Sequence, residues 1–236
     1  MITTPHNLAQ ALMATEMIDS SNASVQSLAL DLVRGIKGSR ERAVALYYGV
    51  RDGFRYDPYE INLSSQAMSA SRVIANGKGW CVPKATLLAA LCRSQGIPAR
   101  LGFSDVKNHL STPRLRGFMD TDIFYWHGYA SLWIDGHWVK ATPAFNRELC
   151  EKMGIRALEF DGVHDSINHP FDLNGNINME YINDHGIYDD VPLEEIKPVY
   201  QRFYSRLLSY KEGGWQEDVN LAHAGRASDA GTSETP

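Results

Sequence analysis

The stretch that decides the fold covers residues 79–100 and reads GWCVPKATLLAALCRSQGIPAR. Its apolar residues predict a helix over residues 81–95, the strongest helical segment of the chain. Pro83 is compatible with a helix only in the first turn, and Gly96 is a typical C-terminal stop. A helix is therefore expected to begin at Cys81, directly after a glycine-rich turn.

Cys81 is placed where a thiol can be reactive. A helix N-terminus carries partial positive charge and unpaired N–H groups, which lower a thiol pKa and can hold an oxyanion. A thiol nucleophile also needs a base, which His127, 46 positions downstream, can supply, and a third group that orients the imidazole. Taken singly, Cys81 is better explained as a small buried apolar residue, and His127 as a core or surface histidine.

The dipeptide Asp135-Gly136 is a strong hairpin signal between predicted strands at residues 124–134 and 137–142. With a two-residue loop, the numbers of paired residues sum to 271. Extended along both strands, this register places four side chains on one face of the hairpin: His127, Tyr129, Thr142 and Ala144.

The remaining elements predict an α+β fold. Apolar spacing and turn signals predict helices at residues 8–19, 24–36, 39–53, 69–75 and 192–211, and a strand at residues 101–106. Residues 161–190, rich in Asp, Asn, Gly and His, are expected to form a long structured loop, with a pair of strands as the less favoured alternative. Such a loop could also act as a lid over the Cys81 site. Helices, a central helix and then a run of strands are typical of an α+β arrangement.

The length of 236 residues predicts one or two domains. We expect a single domain over residues 1–221, with a core at about residues 40–146 and an elaboration at residues 147–215. Residues 222–236 lack core-forming side chains and predict a disordered tail.

The composition narrows the classes of partner. A net charge of −5 argues against nucleic acid or an anionic membrane as the main partner. Three cysteines do not form a disulfide framework, and no apolar run is long enough to span a membrane. The N-terminus lacks a basic region followed by an apolar stretch, so no signal peptide is predicted and a cytoplasmic protein is expected.

A metal site has weak support in the sequence. The residues that could line one are His164, His169, His185, Asp189 and Asp190. A solvated polar loop explains them better, and no cysteine has the spacing of a zinc ligand.

Three segments resemble the transglutaminase-like superfamily. Residues 79–100 resemble its nucleophile segment, in which a Cys begins a helix that ends in Arg-x-x-Gly-Ile-Pro-Ala-Arg. Residues 126–143, WHGYASLWIDGHWVKATP, resemble its histidine hairpin, and residues 54–57, FRYD, resemble a short segment ahead of the nucleophile. The resemblance covers roughly residues 40–146.

The resemblance implies a papain-like cysteine proteinase fold of the transglutaminase-like type, with N-terminal helices and a central nucleophile helix packed on an antiparallel sheet. It implies that Cys81 is the nucleophile and His127 the general base and acid. The family completes its triad with Asp before Pro, whereas this chain has Thr142 there. Asn146 is a candidate substitute, since papain-like enzymes use Asn in this role.

Two tryptophans flank the reactive pair. Trp80 and Trp126 would wall a groove or assist the oxyanion through an indole N–H, although packing in the core explains them equally.

The implied function is thiol-dependent acyl chemistry on an amide or peptide bond through an acyl-enzyme, in a cysteine protease or amidase or in a transglutaminase-like enzyme. This route needs no metal or organic cofactor and takes a peptide or protein substrate. Two alternatives stay open: acyl transfer from a carrier thioester, and a non-catalytic peptide- or protein-binding module with a degenerate triad.

Overall fold

The computed structural model describes residues 5–108, 111–167, 179–210 and 214–231. Its helices are α1 (Pro5–Gln10), α2 (Ala23–Leu32), α3 (Ser39–Gly53), α4 (Ser65–Met68), α5 (Ala70–Asn76), α6 (Cys81–Ser94), α7 (Pro113–Phe118), α8 (Arg147–Met153), α9 (Leu193–Phe203), α10 (Ser205–Ser209) and α11 (Trp215–Gly231). Its strands are β1 (Arg55–Tyr56), β2 (Lys78–Gly79), β3 (Ala99–Asn108), β4 (Ile123–Ile134), β5 (His137–Ala141) and β6 (Met179–Tyr188).

Helix α6 is the centre of the fold. Its residues are buried from Cys81 to Arg93, with α2, α3 and α5 on one side and strands β3 and β4 on the other. Most of the helix is apolar, as expected for a buried position, and its buried Lys84 and Arg93 donate to backbone carbonyl oxygens. The sheet is antiparallel with the order β5-β4-β3-β6, so the α+β prediction is confirmed.

The end of α6 explains the Arg-x-x-Gly spacing of the sequence. Gly96 has a φ of 73°, the left-handed conformation that ends a helix at low cost for glycine. The buried guanidinium of Arg93 donates to the carbonyl oxygens of Met13, Ala99 and Asp189. This residue therefore joins the N-terminal segment, β3 and the chain after β6 around the end of the helix.

The hairpin of β4 and β5 follows the predicted register. Paired residues from Ala130↔Ala141 to Ile134↔His137 sum to 271, and Asp135 and Gly136 both have positive φ, as a two-residue hairpin loop requires. The ladder ends at Ala141, which pairs with Ala130 of β4 and also bridges to Ser166. No described residue after Ala141 pairs with β4. The part of the register that placed Thr142 and Ala144 opposite β4 is therefore wrong.

Residues 179–188, predicted as part of a loop, form strand β6 at the edge of the sheet beside β3. Two register shifts interrupt the pairing of β3 with β6, which breaks the alternation of apolar and polar residues that marks a strand in sequence. The helix expected at residues 8–19 is also wrong beyond Gln10, because the chain turns there toward α2.

The C-terminal region is more helical than predicted. The helix predicted at residues 192–211 is divided into α9 and α10 at Tyr204. Helix α11 continues through residues 222–231, where the sequence predicts a disordered tail; residues 232–236 lie outside the described residues. Within the described ranges, no helix is both long and apolar enough to cross a membrane.

Candidate active site

The thiol of Cys81 lies at the first residue of α6, as predicted, but it is almost completely buried, with 6% exposure. Burial raises the pKa of the thiol to about 11, and backbone N–H groups of Gly128 and Val82 at the sulfur offset only part of this rise. The expectation of a pKa lowered by the helix N-terminus is therefore wrong for this state of the site, because desolvation outweighs the N–H groups.

His127 lies on β4 and is 4% exposed. It lines the same small cavity as Cys81, which has a volume of about 20 Å³, room for about one water molecule. The other residues of this cavity are mostly apolar or aromatic: Tyr56, Pro58, Ile61, Trp80, Leu115, Met119, Phe124, Tyr125, Tyr200, Tyr204 and Leu207. The structure thus brings together the two residues that the sequence selected for nucleophile and base.

The parallel pair of β1 and β2 supplies one wall of this cavity. Tyr56 pairs with Gly79, two residues before Cys81, and its ring is buried against the site. Burial, followed by the charge of Cys81, raises the pKa of Tyr56 well above its ordinary value. The FRYD segment therefore places the ring of Tyr56 in the wall of the cavity, next to the start of α6.

The C-terminal helices close the cavity from the opposite side. Tyr200 packs on Trp80 with ring centroids 5.5 Å apart, and its hydroxyl donates to the carbonyl oxygen of Tyr125 at 3.0 Å. The hydroxyl of Tyr204 donates to the carbonyl oxygen of Ile123 at 2.8 Å. Both tyrosines are 3% exposed, so Cys81 and solvent are separated by side chains of α9 and its end.

Thr142 and Asn146, the two candidates for orienting the imidazole, lie after β5. The backbone N–H of Thr142 donates to the carbonyl oxygen of Ser166, and its side-chain hydroxyl is buried without a hydrogen-bond partner among the described residues. The amide oxygen of Asn146 accepts from the backbone N–H of Tyr56 at 3.2 Å. Thr142 therefore does not hold an imidazole through its hydroxyl, and Asn146 links β1 to the start of α8.

The two tryptophans have different positions. Trp80 is a wall of the cavity, whereas Trp126 is buried outside it and stacks on His185 with centroids 4.0 Å apart and an interplanar angle of 7°. Trp126 also has a φ of 55°, which is rare for a bulky residue. Of the two predicted groove residues, only Trp80 lines the cavity that contains Cys81 and His127.

A larger and more polar cleft lies beside the closed cavity. It has a volume of about 360 Å³ and shares Trp80 and Ile61 with the cavity. Lys78 lies in it and forms ion pairs with Asp57 at 3.2 Å and with Glu60 at 2.5 Å. Trp80 thus separates an open polar cleft from the buried thiol.

Neither the aromatic cover of the cavity nor the acidic residue Asp105 near His127 was identified from the sequence. Tyr200 and Tyr204 are more than 70 positions from His127, and nothing local indicates where α9 packs. Asp105 accepts from the backbone N–H of Trp126 at 3.0 Å and contacts the Nε2 atom of His185 at 2.7 Å. Its position on β3 next to Ser104, the partner of His127, could have been found only from the strand register.

The candidate metal ligands that lie within the described residues have other partners. His164 bonds Asp161, His185 bonds Asp105, and Asp189 pairs with Arg100. No group of three or more metal-ligating side chains occurs within residues 5–108, 111–167, 179–210 and 214–231. His169 lies outside the described residues.

Comparison of the sequence with models of known protein families gives one match. The family model described as the transglutaminase-like superfamily matches residues 26–143, half of the chain. No curated protein sequence matches the chain.

Two solved structures that align with this chain share 20% or less of its sequence. A provisionally assigned cysteine protease from Cytophaga hutchinsonii shares 20% identity over 78% of this chain and 57% of its own, with a TM-score of 0.46. An arylamine N-acetyltransferase from Mycobacterium abscessus shares 14% identity over 56% of this chain and 46% of its own, with a TM-score of 0.39. The chain spans less than two thirds of the length of each of these proteins.

Proposed function

The chain belongs to the transglutaminase-like superfamily, and from this premise we propose that it catalyses thiol-dependent acyl chemistry on an amide or peptide bond. The observation that carries the proposal is that Cys81 and His127 line one cavity at the N-terminus of α6. A thiol, an imidazole and a helix N-terminus are the three parts that acyl transfer through a thioester requires.

The reaction begins with transfer of the thiol proton of Cys81 to the imidazole of His127. The sulfur then bonds to the substrate carbonyl carbon, and the carbonyl oxygen becomes an oxyanion. The N–H groups of Val82 and Gly128, which already point to the sulfur, are in place to donate to that oxyanion. Collapse breaks the C–N bond, His127 returns the proton to the leaving amine, and a thioester at Cys81 remains.

Water or an amine then resolves the thioester. Attack by water, with His127 accepting its proton, releases a carboxylic acid and the thiol, which is the protease or amidase outcome. Attack by an amine, with His127 accepting its proton and returning it to the sulfur, breaks the C–S bond, forms a new amide and releases the thiol, which is the transglutaminase-like or acyltransferase outcome. Hydrolysis is our first choice.

Substrate reaches the thiol from the polar cleft beside Trp80 in this proposal. The cavity itself holds about one water molecule, so an acyl group enters only if Tyr200, Tyr204 or Trp80 moves. The walls that surround the thiol are apolar, which favours an apolar group next to the reacting carbonyl.

The test uses p-nitrophenyl acetate as a small acyl donor. We expect release of p-nitrophenol and one acetyl group on the peptide that contains Cys81, detected by mass spectrometry. Cys81→Ala should lose both signals, and Cys92→Ala, which changes a buried cysteine of the same helix, should keep them. Absence of acetylated Cys81 in the wild-type protein would contradict the proposal.

A second function, binding of a peptide without turnover, is favoured by one observation. The hydroxyl of Thr142, where the family has its carboxylate, is buried and has no partner among the described residues. In that case the wild-type protein and Cys81→Ala would bind a peptide equally, and neither Cys81 nor a product would carry the acetyl group.

A further inference from the structure

Asp105 lies in the middle of the sheet between two irregular pairings. On one side, the single residue Asp105 faces two residues of β4, because Ser104 pairs with His127 while Val106 pairs with Phe124. On the other side, the pairing of β3 with β6 shifts on both sides of Asp105. Such bulges re-aim side chains and occur often next to active sites.

The bulge on β4 decides where His127 points. An extra residue reverses the alternation of side chains, so His127 faces the cavity only if the bulge holds. The bulge also contains the positive φ of Trp126, a conformation that persists only when surrounding contacts impose it.

Two side chains hold the backbone N–H groups of this bulge. The carboxylate of Asp105 accepts from Trp126, the residue directly before His127, at 3.0 Å. The hydroxyl of Tyr204 accepts from the N–H of Tyr125 at 2.6 Å. Both N–H groups lie in the part of β4 where the regular ladder is interrupted, so the side chains replace ladder hydrogen bonds.

His185 contacts both the carboxylate of Asp105 and the ring of Trp126. Its Nε2 atom lies 2.7 Å from the Oδ1 atom of Asp105, and its ring is parallel to the indole of Trp126. Asn183 donates to the Oδ2 atom of Asp105 at 3.5 Å. Asp105 is 7% exposed, so its carboxylate depends on these partners rather than on water.

The negative charge of Asp105 also acts on two tyrosines of the cavity, Tyr200 and Tyr204. Burial is the main cause that raises the pKa of Tyr200 and Tyr204, and the negative charge of Asp105 adds to it in both. The acid therefore lies close to the tyrosines that cover the thiol.

We propose that Asp105 is the positioning residue for His127: through the N–H of Trp126 it holds the β4 bulge that aims the imidazole into the Cys81 cavity, with His185 locking the carboxylate. This inference rests on the proposed function, since it gives the base of that reaction its orientation. In this proposal a residue of β3 orients the imidazole. In the family that task belongs to an Asp after β5, at the position where this chain has Thr142.

The test measures the rate at which iodoacetamide alkylates Cys81, by peptide mass spectrometry near neutral pH. Asp105→Ala removes the acceptor, and we expect the rate to fall on the order of 10²-fold, toward that of His127→Ala, because a shift of about 1 Å in a catalytic group has this effect. Asp105→Asn keeps an oxygen that accepts from Trp126, so we expect a rate close to wild type. Asp31→Asn, at an exposed ion pair on α2 and outside the sheet, is the matched control.

The rescue by Asn separates positioning from a general loss of structure. An Asp105→Ala protein as reactive as wild type overturns the inference, and so does an Asp105→Asn protein as slow as Asp105→Ala. If Asp105→Ala does not fold, His185→Phe takes its place, since phenylalanine can stack on Trp126 but cannot donate to Asp105. We expect that variant to be slower than wild type, and an unchanged rate would overturn the inference.

Failure of the proposed function gives a different result. In that case the wild-type Cys81 reacts no faster than Cys92 or Cys150, and His127→Ala changes nothing, whichever way the Asp105 variants behave. Failure of this inference alone leaves the dependence on His127 intact and removes only the dependence on Asp105.

Discussion

The hydroxyl of Tyr204 accepts a hydrogen bond from the backbone N–H of Tyr125 at 2.6 Å, which ties the end of α9 to β4 two residues before His127. The C-terminal region, outside the part of the chain that matches the family model, therefore both covers the thiol and contacts the strand that carries His127. Access to Cys81 depends on how firmly this cover is held.

Removing part of the cover should expose the thiol. Tyr200→Ala deletes a ring that packs on Trp80 and lines the cavity, so we expect faster alkylation of Cys81 by iodoacetamide. Phe203→Ala is the matched control and should change the rate less. Phe203 is on the same helix and stacks on Tyr125, but it does not itself line the cavity. Equal rates for wild type and Tyr200→Ala would show that α9 does not limit access. Each variant also loses a large side chain, at a cost of about 3–5 kcal/mol for a fully buried ring, so folding is checked by circular dichroism.

Thr142→Val should be tolerated. The buried hydroxyl of Thr142 has no partner among the described residues, so a methyl group of similar shape removes a desolvation cost. We expect a free energy of unfolding that is unchanged or higher by up to about 1 kcal/mol, measured in urea, and an unchanged alkylation rate of Cys81. A large fall in that rate would mean that the hydroxyl orients His127 after all.

The buried amine of Lys84 should make stability depend on pH. Its Nζ atom donates to the carbonyl oxygens of Arg51 and Phe54, and burial lowers its pKa to about 7 from the ordinary 10.5. Between these two values the unfolded chain binds a proton that the folded chain does not, so stability rises with pH from about 7 to 10.5. Below about 7 both states are protonated and the full cost of burying the charge remains.

Lys84→Met removes this dependence. From pH 7 to 8.5 we expect the free energy of unfolding of the wild-type protein to rise relative to Lys84→Met, at no more than about 1.4 kcal/mol per pH unit. Urea unfolding at several pH values measures it, with Lys197→Met on the surface of α9 as control. Parallel curves for the wild-type protein and Lys84→Met would contradict the burial of a titrating amine.

Local signals in the sequence account for the core of the fold. The start of α6 at Cys81, the two-residue hairpin loop at Asp135 and Gly136, and the bounds of α3 follow from capping, turn and apolar patterns that act within a few residues. The resemblance of residues 79–100 and 126–143 to two segments of the superfamily selected Cys81 and His127, which the fold then brings into one cavity.

The remaining features depend on contacts between distant parts of the chain. Strand β6 is held by pairing with β3 through two register shifts, so its own residues carry no regular alternation. The proposed role of Asp105 depends on a bulge in the neighbouring strand, and the pKa of Cys81 depends on tyrosines from β1 and α9 that exclude water. Neither the bulge nor the burial has a signature in the residues around these positions.

The measurement that tests the central claim most directly is the alkylation rate of Cys81 against pH, in the wild-type protein and in His127→Ala. Cys92 and Cys150, both buried and free, are the internal references. If the two residues act as a pair, wild-type Cys81 reacts near neutral pH, faster than either reference. His127→Ala is then on the order of 10²-fold slower at that pH, because the buried thiol has lost the group that accepts its proton. Identical profiles for the two proteins would contradict the pair.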